Sequence, residues 1–177
     1  MTTAPPRQAT LSPRVLAAPG LPALSLRPAR PEDAAALAAL SRPFVRSGAL
    51  RERPLSLYTD QAADFLVAEA PGGTLDGCIG LRAHPAAATA GRPAAGVLYN
   101  FCVADRAQGC GMGARLLNAA LARARNDSLR SLFTATTGGG RLFLRHGFAP
   151  ARAELAPTAW TRSLDPRRNA RILARAV

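Results

Sequence analysis

Lysine is absent from this sequence, and all 23 of its basic side chains are arginines. A Walker-type nucleotide loop places a lysine against the phosphates, so this class of site is excluded. The formal net charge of +12 attracts anions, whether nucleic acid, acidic metabolites or phosphorylated cofactors. Arginine beside abundant alanine, proline and glycine is also typical of a GC-rich coding bias, so the charge alone does not choose among these partners.

Cysteine and histidine are scarce, with three and two residues respectively. Cys78, Cys102 and Cys110 form no C-x-x-C pair, and His84 and His146 are far apart in sequence. The clustered spacing of a structural zinc site is therefore missing, and no metal is predicted. Two of the cysteines lie in or beside apolar runs, as reduced thiols of cytosolic proteins do. We expect a cytoplasmic protein.

Long apolar segments are missing as well, and no stretch is apolar and uncharged enough to span a bilayer. Residues 1–22 lack the apolar core of a secretory signal, and their proline and alanine content predicts a disordered tail. Because these residues include arginines and no acids, an organelle transit peptide is an alternative interpretation. Residues 23–177 suit one domain with a full hydrophobic core. Aromatic residues make up only 5%, and no basic helix carries interleaved aromatics, which disfavours a nucleic-acid partner.

Hydrophobic periodicity predicts strands and helices in one α/β domain without internal repeats. The run 96–103 is apolar at nearly every position, as in a strand buried on both faces. Residues 112–125 place their apolar side chains on one helical stripe. Residues 41–58 are expected to be irregular or briefly helical, and the glycines between 72 and 77 to form a hairpin turn. The other predicted strands are 23–27, 64–69, 78–83, 129–136 and 171–177, and the other helices begin at Pro31 and cover 139–146.

A glycine-rich loop lies between the buried strand and the following helix, with the sequence Gln-Gly-Cys-Gly-Met-Gly over residues 108–113. Glycine lacks a Cβ atom, so such a loop turns tightly and exposes its backbone N–H groups. The start of the next helix adds orphan N–H donors and the positive end of the helix dipole. A dianionic pyrophosphate is therefore the expected ligand of this loop.

The loop matches two phosphate-binding patterns, of which the dinucleotide fingerprint G-x-G-x-x-[GA] fits Gly109, Gly111 and Ala114. That fingerprint belongs after the first strand of a nicotinamide-binding fold, with an acid at the end of the next strand. Here at least three predicted strands precede the loop, and Asp127 lies before the next strand instead of at its end. Too little chain remains to build the rest of such a fold.

The second pattern, [QR]-x-x-G-x-[GA], fits Gln108, Gly111 and Gly113. It resembles the acetyl-coenzyme A loop of the GNAT superfamily of N-acetyltransferases, and the order of predicted elements is similar over about residues 23–177. The resemblance implies an α/β, α+β layered fold: a central mixed, mostly antiparallel sheet flanked by helices, with a splayed central strand pair at the cofactor site. It implies acetyl-coenzyme A as cofactor, with coenzyme A as product. The implied cofactor contacts are Cys102, Val103, Gln108, Gly109, Cys110, Gly111, Met112, Gly113 and Phe143.

Short segments along the chain resemble the acetyltransferase domain of bacterial N-acetylglutamate synthases. The resemblance implies acetyl transfer to the α-amino group of L-glutamate, as in arginine biosynthesis, by a short, free-standing version without the amino-acid kinase domain. Arg42, Arg53 and Arg168 lie in these segments, and the resemblance implies that they bind the carboxylates of the acceptor. The segments are 41–44, 48–53, 132–137, 143–148, 155–157 and 167–173.

The implied reaction is direct attack of the amine on the thioester, so Cys102 is expected to be a buried strand residue that need not act as a nucleophile. A backbone N–H group at about Cys102 or Val103 is expected to polarise the carbonyl oxygen. The glutamate that serves the synthases as general base falls at Val97, and the tyrosine that donates a proton in many superfamily members falls at Phe143. Asn100 is the candidate that holds a water as base, and catalysis mainly by positioning is the alternative.

Other interpretations stay open from the sequence. Tyr99 and His146 are further candidates for proton transfer, although core packing explains the first and a helix end the second. The acceptor could instead be a protein N-terminus, an amine drug or a polyamine, but the few scattered acids offer a polyamine no acidic pocket. A catalytically degenerate coenzyme A-binding protein and a homodimer are both compatible with the sequence.

Overall fold

The computed structural model describes residues 25–86 and 91–177, so the predicted tail 1–22 lies outside the described residues. Within them, seven strands form one open sheet in the order β1-β2-β3-β4-β5-β7-β6. Neighbouring strands are antiparallel except β4 and β5, which run parallel, so the predicted mixed, mostly antiparallel sheet is confirmed. The strands are β1 (Ser25–Pro28), β2 (Phe65–Glu69), β3 (Leu75–His84), β4 (Ala95–Val103), β5 (Ser131–Thr136), β6 (Ala149–Pro150) and β7 (Arg171–Ala176).

Five α-helices flank the sheet in the described part of the chain. The longest, α3, packs Leu116, Leu117 and Leu121 against one face, together with buried side chains of β2 to β5. The opposite face carries α1 and α2 over β2 to β4. Further along that face, Ala156 and Trp160 pack over β4, β5 and β7. None of these helices is both long and apolar enough to cross a membrane. The helices are α1 (Ala34–Arg46), α2 (Leu55–Asp60), α3 (Met112–Asn126), α4 (Arg141–Arg145) and α5 (Thr158–Arg162).

Helix α1 is longer than predicted, because it continues to Arg46 through a segment that was expected to be irregular or only briefly helical. Pro43 lies inside the helix, although proline cannot donate the hydrogen bond of an interior position. Leu37 and Ser41 are buried towards the sheet, and Phe44 packs against the same core. This tertiary packing outweighs the local preference of the proline.

The turn between β2 and β3 also differs from the prediction. Strand β3 begins at Leu75, so Gly77 lies inside the strand instead of in the turn. A Cβ atom on Gly77 would lie 2.8 Å from Cδ1 of Leu116 and 3.2 Å from the backbone oxygen of Cys102. The glycine is therefore needed for the close contact between β3 and α3 and not for a reversal of the chain.

Candidate active site

A wedge opens in the middle of the sheet, between the parallel strands β4 and β5. Their paired register covers only Ala95–Leu98 on β4 and Ser131–Thr134 on β5. Both strands continue further, β4 to Val103 and β5 to Thr136. The two strands therefore separate towards their carboxyl ends, which is the splayed central pair that the resemblance implied.

A bulge in β4 lies where the wedge begins. Asn100 has a φ of 48°, and the register between β3 and β4 shifts at this point. Asn100 is 4% exposed and its amide donates a 2.9 Å hydrogen bond to Oγ of Ser41, while the Tyr58 hydroxyl donates to its Oδ1 at 3.4 Å. The amide is committed to these helix side chains. We therefore assign Asn100 to shaping the strand, and its predicted role as holder of a catalytic water finds no support in this geometry.

The backbone of β4 beyond the bulge determines which N–H group faces the wedge. The Ala104 N–H donates to the Asp76 carbonyl of β3 at 2.8 Å. Peptide groups alternate in direction along a strand, so Cys102 also turns to β3 and Val103 turns to the opposite edge. The side chain of Gln108 donates to the Val103 carbonyl at 3.0 Å, which agrees with that direction. Of the predicted pair, Val103 is the residue whose N–H group points into the wedge.

The thiol of Cys102 lies on the other side of this strand from the glycine-rich loop. It is buried, and its Sγ atom lies 3.5 Å from Sγ of Cys78 and 4.0 Å from Oγ of Ser41. The neighbouring Cys102 thiol, and then burial, raise the pKa of the Cys78 thiol, which keeps it protonated. Both groups pack as small apolar side chains beneath α1, as predicted for Cys102.

The glycine-rich loop lies at the mouth of the wedge, where α3 begins. Gly109 and Gly111 have φ values of 79° and 82°, which favour glycine, and no atom lies within 4 Å of a Cβ built on either residue. Gln108 fixes the loop by a second hydrogen bond, of 2.9 Å, to the Asp105 carboxylate. The first N–H groups of the 15-residue helix that starts at Met112 complete an open cradle for an anion.

The inner side of the cradle packs against α4. A Cβ on Gly113 would lie 3.1 Å from Cδ2 of Leu142 and 3.5 Å from the Phe101 ring, so only a very small residue fits between these elements. The Phe143 ring contacts Phe101 edge-on at a centroid distance of 5.7 Å and Phe148 at 5.4 Å. Phe143 therefore lies beside the wedge, and its ring has no proton to donate.

A cavity of about 490 Å³ lies on the opposite face, between the loop that joins α1 to α2 and the segment around α5. It reaches the wedge, because Asn100, Phe101 and Thr136 are among its walls. Two of the three predicted acceptor-binding arginines, Arg53 and Arg168, line this cavity. The third, Arg42, is exposed on α1 and is not one of the lining residues, so the structure does not bring it together with the others.

Two arginines of the cavity stack on the same tyrosine but differ in their partners. Arg82 lies 5.0 Å from the Tyr99 ring centroid and pairs with the Asp64 carboxylate at 3.1 Å. The Tyr99 hydroxyl donates to the same carboxylate at 2.8 Å. Arg53 lies 4.9 Å from the ring centroid, and no hydrogen bond or ion pair joins it to any described residue. Burial lowers the pKa of Arg53 from its ordinary value, as expected for a desolvated cation without an anion.

Arg168 supports the cavity wall. Its Nη2 atom donates to the backbone carbonyls of Gly48 and Ala49 at 2.8 and 3.1 Å. Arg51 makes the reciprocal contact, because its Nη1 atom donates to the Ser163 carbonyl at 2.7 Å. These bonds tie the loop between α1 and α2 to the segment that follows α5, and thereby fix two walls of the cavity relative to each other.

The two histidines lie in different surroundings. His146 follows α4, and its Nδ1 atom lies 2.8 Å from the Leu142 carbonyl, which is a local contact at a helix end. His84 ends β3 and lines the cavity, a placement that sequence reasoning missed. Burial, and then the charge of Arg82, lower the pKa of His84 below its ordinary value of 6.5. The only signal in the sequence was its position at the end of a predicted strand.

Comparison with known proteins agrees with the resemblance to acetyltransferases that the sequence showed. Residues 61–150 match the family described as acetyltransferase (GNAT) domain. The amino-acid acetyltransferases of Neisseria meningitidis serogroup A and Ralstonia nicotianae are each 33% identical, over 84% and 75% of this chain but only 32% and 28% of theirs. The N-acetylglutamate synthase of Neisseria gonorrhoeae, solved with coenzyme A and N-acetyl-glutamate, is 29% identical with a TM-score of 0.77, over 86% of this chain and 35% of that chain. The chain thus spans about a third of the length of these relatives.

Proposed function

This chain belongs to the GNAT acetyltransferase family, and from this premise we propose that it acetylates the α-amino group of an acidic amino acid, L-glutamate. It is an N-acetyltransferase with acetyl-coenzyme A as donor. The acceptor is the proposed part. It draws support from relatives named amino-acid acetyltransferases and from the charges that line the cavity.

The cofactor site fits the residues present. The open space at Gly109 and Gly111 and the orphan N–H groups at the start of α3 suit the pyrophosphate of a coenzyme A. Acetyl-coenzyme A supplies the activated acetyl group. The Val103 N–H group, turned into the wedge, is placed to donate to a carbonyl oxygen as that oxygen gains negative charge. Both contributions come from backbone groups, so they depend on the path of the chain and not on side-chain identity.

Arg53 carries the choice of acceptor. It is desolvated and fixed over the Tyr99 ring, and no described residue offers it a counter-charge. A guanidinium in this state gains most from a ligand carboxylate, which it binds bidentately. The neighbouring Arg82 is already paired with Asp64, so Arg53 is the better anion site of the two.

The electrostatics of the cavity argue against cationic acceptors. Among its described lining residues, four are arginines and one, Asp165, is acidic. Asp165 accepts a hydrogen bond from the Arg167 backbone N–H at 3.0 Å, which satisfies part of its charge. A polyamine would meet like charges on several sides, and like-charge contacts disfavour the wrong ligand.

The experiment that tests the proposal is a panel of acceptors. Free thiol release from acetyl-coenzyme A is followed with purified protein and L-glutamate, L-glutamine, L-aspartate, L-arginine, spermidine or a peptide amine. We expect the highest kcat/KM with L-glutamate, and weaker turnover with glutamine and aspartate, in which one carboxylate or the chain length is wrong. Turnover of spermidine or peptides without turnover of glutamate would overturn the acceptor while leaving the cofactor assignment intact.

A further inference from the structure

The cavity wall lacks a carboxylate at the position where the resemblance implies a catalytic glutamate. That position is Val97 on β4, which is 2% exposed and cannot take up a proton. Asn100 is committed to buried partners, and Phe143 has no ionisable group. The amine of an amino acid is protonated at neutral pH and cannot attack a carbonyl carbon until it loses that proton. Efficient turnover at neutral pH therefore calls for another proton acceptor on this face of the sheet.

The register between β3 and β4 brings a histidine to this place. His84 pairs with Ala95, and Arg82 pairs with Val97. Residues that pair across strands project to the same face, so His84 and Val97 share a face as diagonal neighbours, about 7–8 Å apart and within reach of a long or aromatic side chain. Val97 and His84 both line the cavity that continues to the wedge.

Burial, and then the charges around it, lower the pKa of His84 and favour its neutral ring. Arg82, on the same strand, disfavours the charged ring, and the Asp64 carboxylate acts more weakly in the opposite sense. Across the cavity lie Arg53, before α2, and Asp165 and Arg168, after α5. Arg92 shares a second, adjoining cavity with His84. This balance is cationic, and within 25–86 and 91–177 no hydrogen bond occupies either nitrogen of the His84 ring.

We propose that His84 is the general base of this enzyme and accepts the proton of the acceptor ammonium group. The proposal rests on the proposed function, because it needs an amine that enters the cavity, but it does not depend on which amine. The proton moves from the ammonium nitrogen to a ring nitrogen of His84. The nitrogen lone pair then forms the C–N bond as the C–S bond breaks, and the sulfur leaves as a thiolate with that electron pair. The acylated nitrogen gives up its second proton to the thiolate, and the imidazolium releases the first proton to water, so the products are the amide, a thiol and one proton.

The pH dependence of kcat/KM follows from this assignment. Protonated His84 cannot act as a base, so kcat/KM falls as the pH falls through its pKa, which lies below 6.5. His84→Gln should lower kcat by about 10²–10⁴-fold. It should also move the acid limb of kcat/KM above pH 7, because the amine must then lose its proton to water. His146→Gln, at the end of α4, is the matched control and should leave both quantities unchanged.

Two readouts separate this inference from the proposed function. The ratio of His84→Gln to the unmodified protein is measured with whichever amine is turned over fastest, so an error in the acceptor does not affect it. The chain has only two histidines, so histidine ring NMR signals of the free protein are assigned with His146→Gln and titrated directly. An unchanged acid limb in His84→Gln would overturn the assignment, as would an acid limb of the unmodified protein that does not coincide with the pKa of His84 in that titration.

A second substitution tests where the base lies as well as which residue it is. Val97→Glu in the His84→Gln background puts a carboxylate on the diagonal neighbour, directly opposite Arg82. We expect this double variant to recover about tenfold or more of the lost kcat, with an acid limb at the lower pH typical of a carboxylate. Binding of acetyl-coenzyme A, followed by calorimetry, should be the same in all variants, since the glycine-rich loop is untouched.

Discussion

The glycine-rich loop and the cavity lined by Arg53 and His84 lie on either side of the same wedge, yet they are built in different ways. The loop presents backbone groups from one continuous segment, 108–113, and its two left-handed glycines leave open space in front of them. The cavity is formed by side chains from α1, β3, β4, β5 and the segment around α5, which come together only in the folded chain. A backbone site tolerates changes of neighbouring side chains but not of its own path. A side-chain site can change its ligand by single substitutions.

The largest effect is expected when the backbone of the glycine-rich loop is changed. Gly111→Val places a branched side chain at a φ of 82° and fills the open side of the loop. Losing two charge-assisted hydrogen bonds to the pyrophosphate should weaken acetyl-coenzyme A binding by about 10²–10⁴-fold. Isothermal calorimetry measures the dissociation constant, and the protein should also lose the stabilisation of roughly 2.7 kcal/mol expected at a ligand concentration of about 100 dissociation constants.

The control for this variant is Gly73→Val, in the turn between β2 and β3. Gly73 has a φ of 79°, so the substitution carries the same backbone strain far from the loop. Both variants should lose a similar free energy of unfolding, about 1–2 kcal/mol, but only Gly111→Val should lose the cofactor. Equal loss of binding in the two variants would show that strain, and not the open cradle, explains the result.

The next largest effect is expected in the cavity, which is formed by side chains. Arg53→Ala removes a cation for which no described residue provides a hydrogen bond or an ion pair, and it should lower kcat/KM for L-glutamate by about 10–150-fold, the equivalent of one charge-assisted hydrogen bond. Its affinity for acetyl-coenzyme A should stay unchanged. Arg42→Ala is the matched control, because Arg42 is exposed on α1 and outside the cavity lining. A similar loss in both variants would mean that general positive charge, and not a placed guanidinium, recruits the acceptor.

The same difference explains which parts could be predicted. The glycine-rich loop could be predicted because its glycine spacing and the helix start lie together in sequence, and because the strands beside it are apolar runs. Arg42 and Arg53 could not be told apart, since nothing local in an arginine-rich chain distinguishes an exposed guanidinium from a desolvated one. His84 could not be recognised as a site residue, because sheet register makes Val97 its neighbour and only packing brings both residues to the same cavity as Arg53.

The bulge in β4 was also missed, and it yields a prediction about stability. Asn100→Ala removes the amide that donates to Ser41 and leaves a residue with a Cβ at a φ of 48°. Urea denaturation should show a loss of about 1–3 kcal/mol in the free energy of unfolding, as expected when a buried polar partner is removed. Asn118→Ala, exposed on α3, should cost less than about 0.5 kcal/mol. A loss of activity without this destabilisation would return Asn100 to a chemical role.

The smallest effect is expected at Arg168, a side chain of the cavity wall that bonds to backbone groups. Its side chain donates to two backbone carbonyls, of Gly48 and Ala49, and so fixes the path of the loop that carries Arg53. The bonds are exposed and involve one charged group, so Arg168→Ala should change kcat/KM for glutamate by only about 2–12-fold. Because the loop would hold the acceptor less firmly without touching the wedge, the change should lie mainly in KM. If kcat fell instead while KM stayed constant, Arg168 would act on the reaction itself, and the separation between a wall residue and an anion-binding residue would not hold.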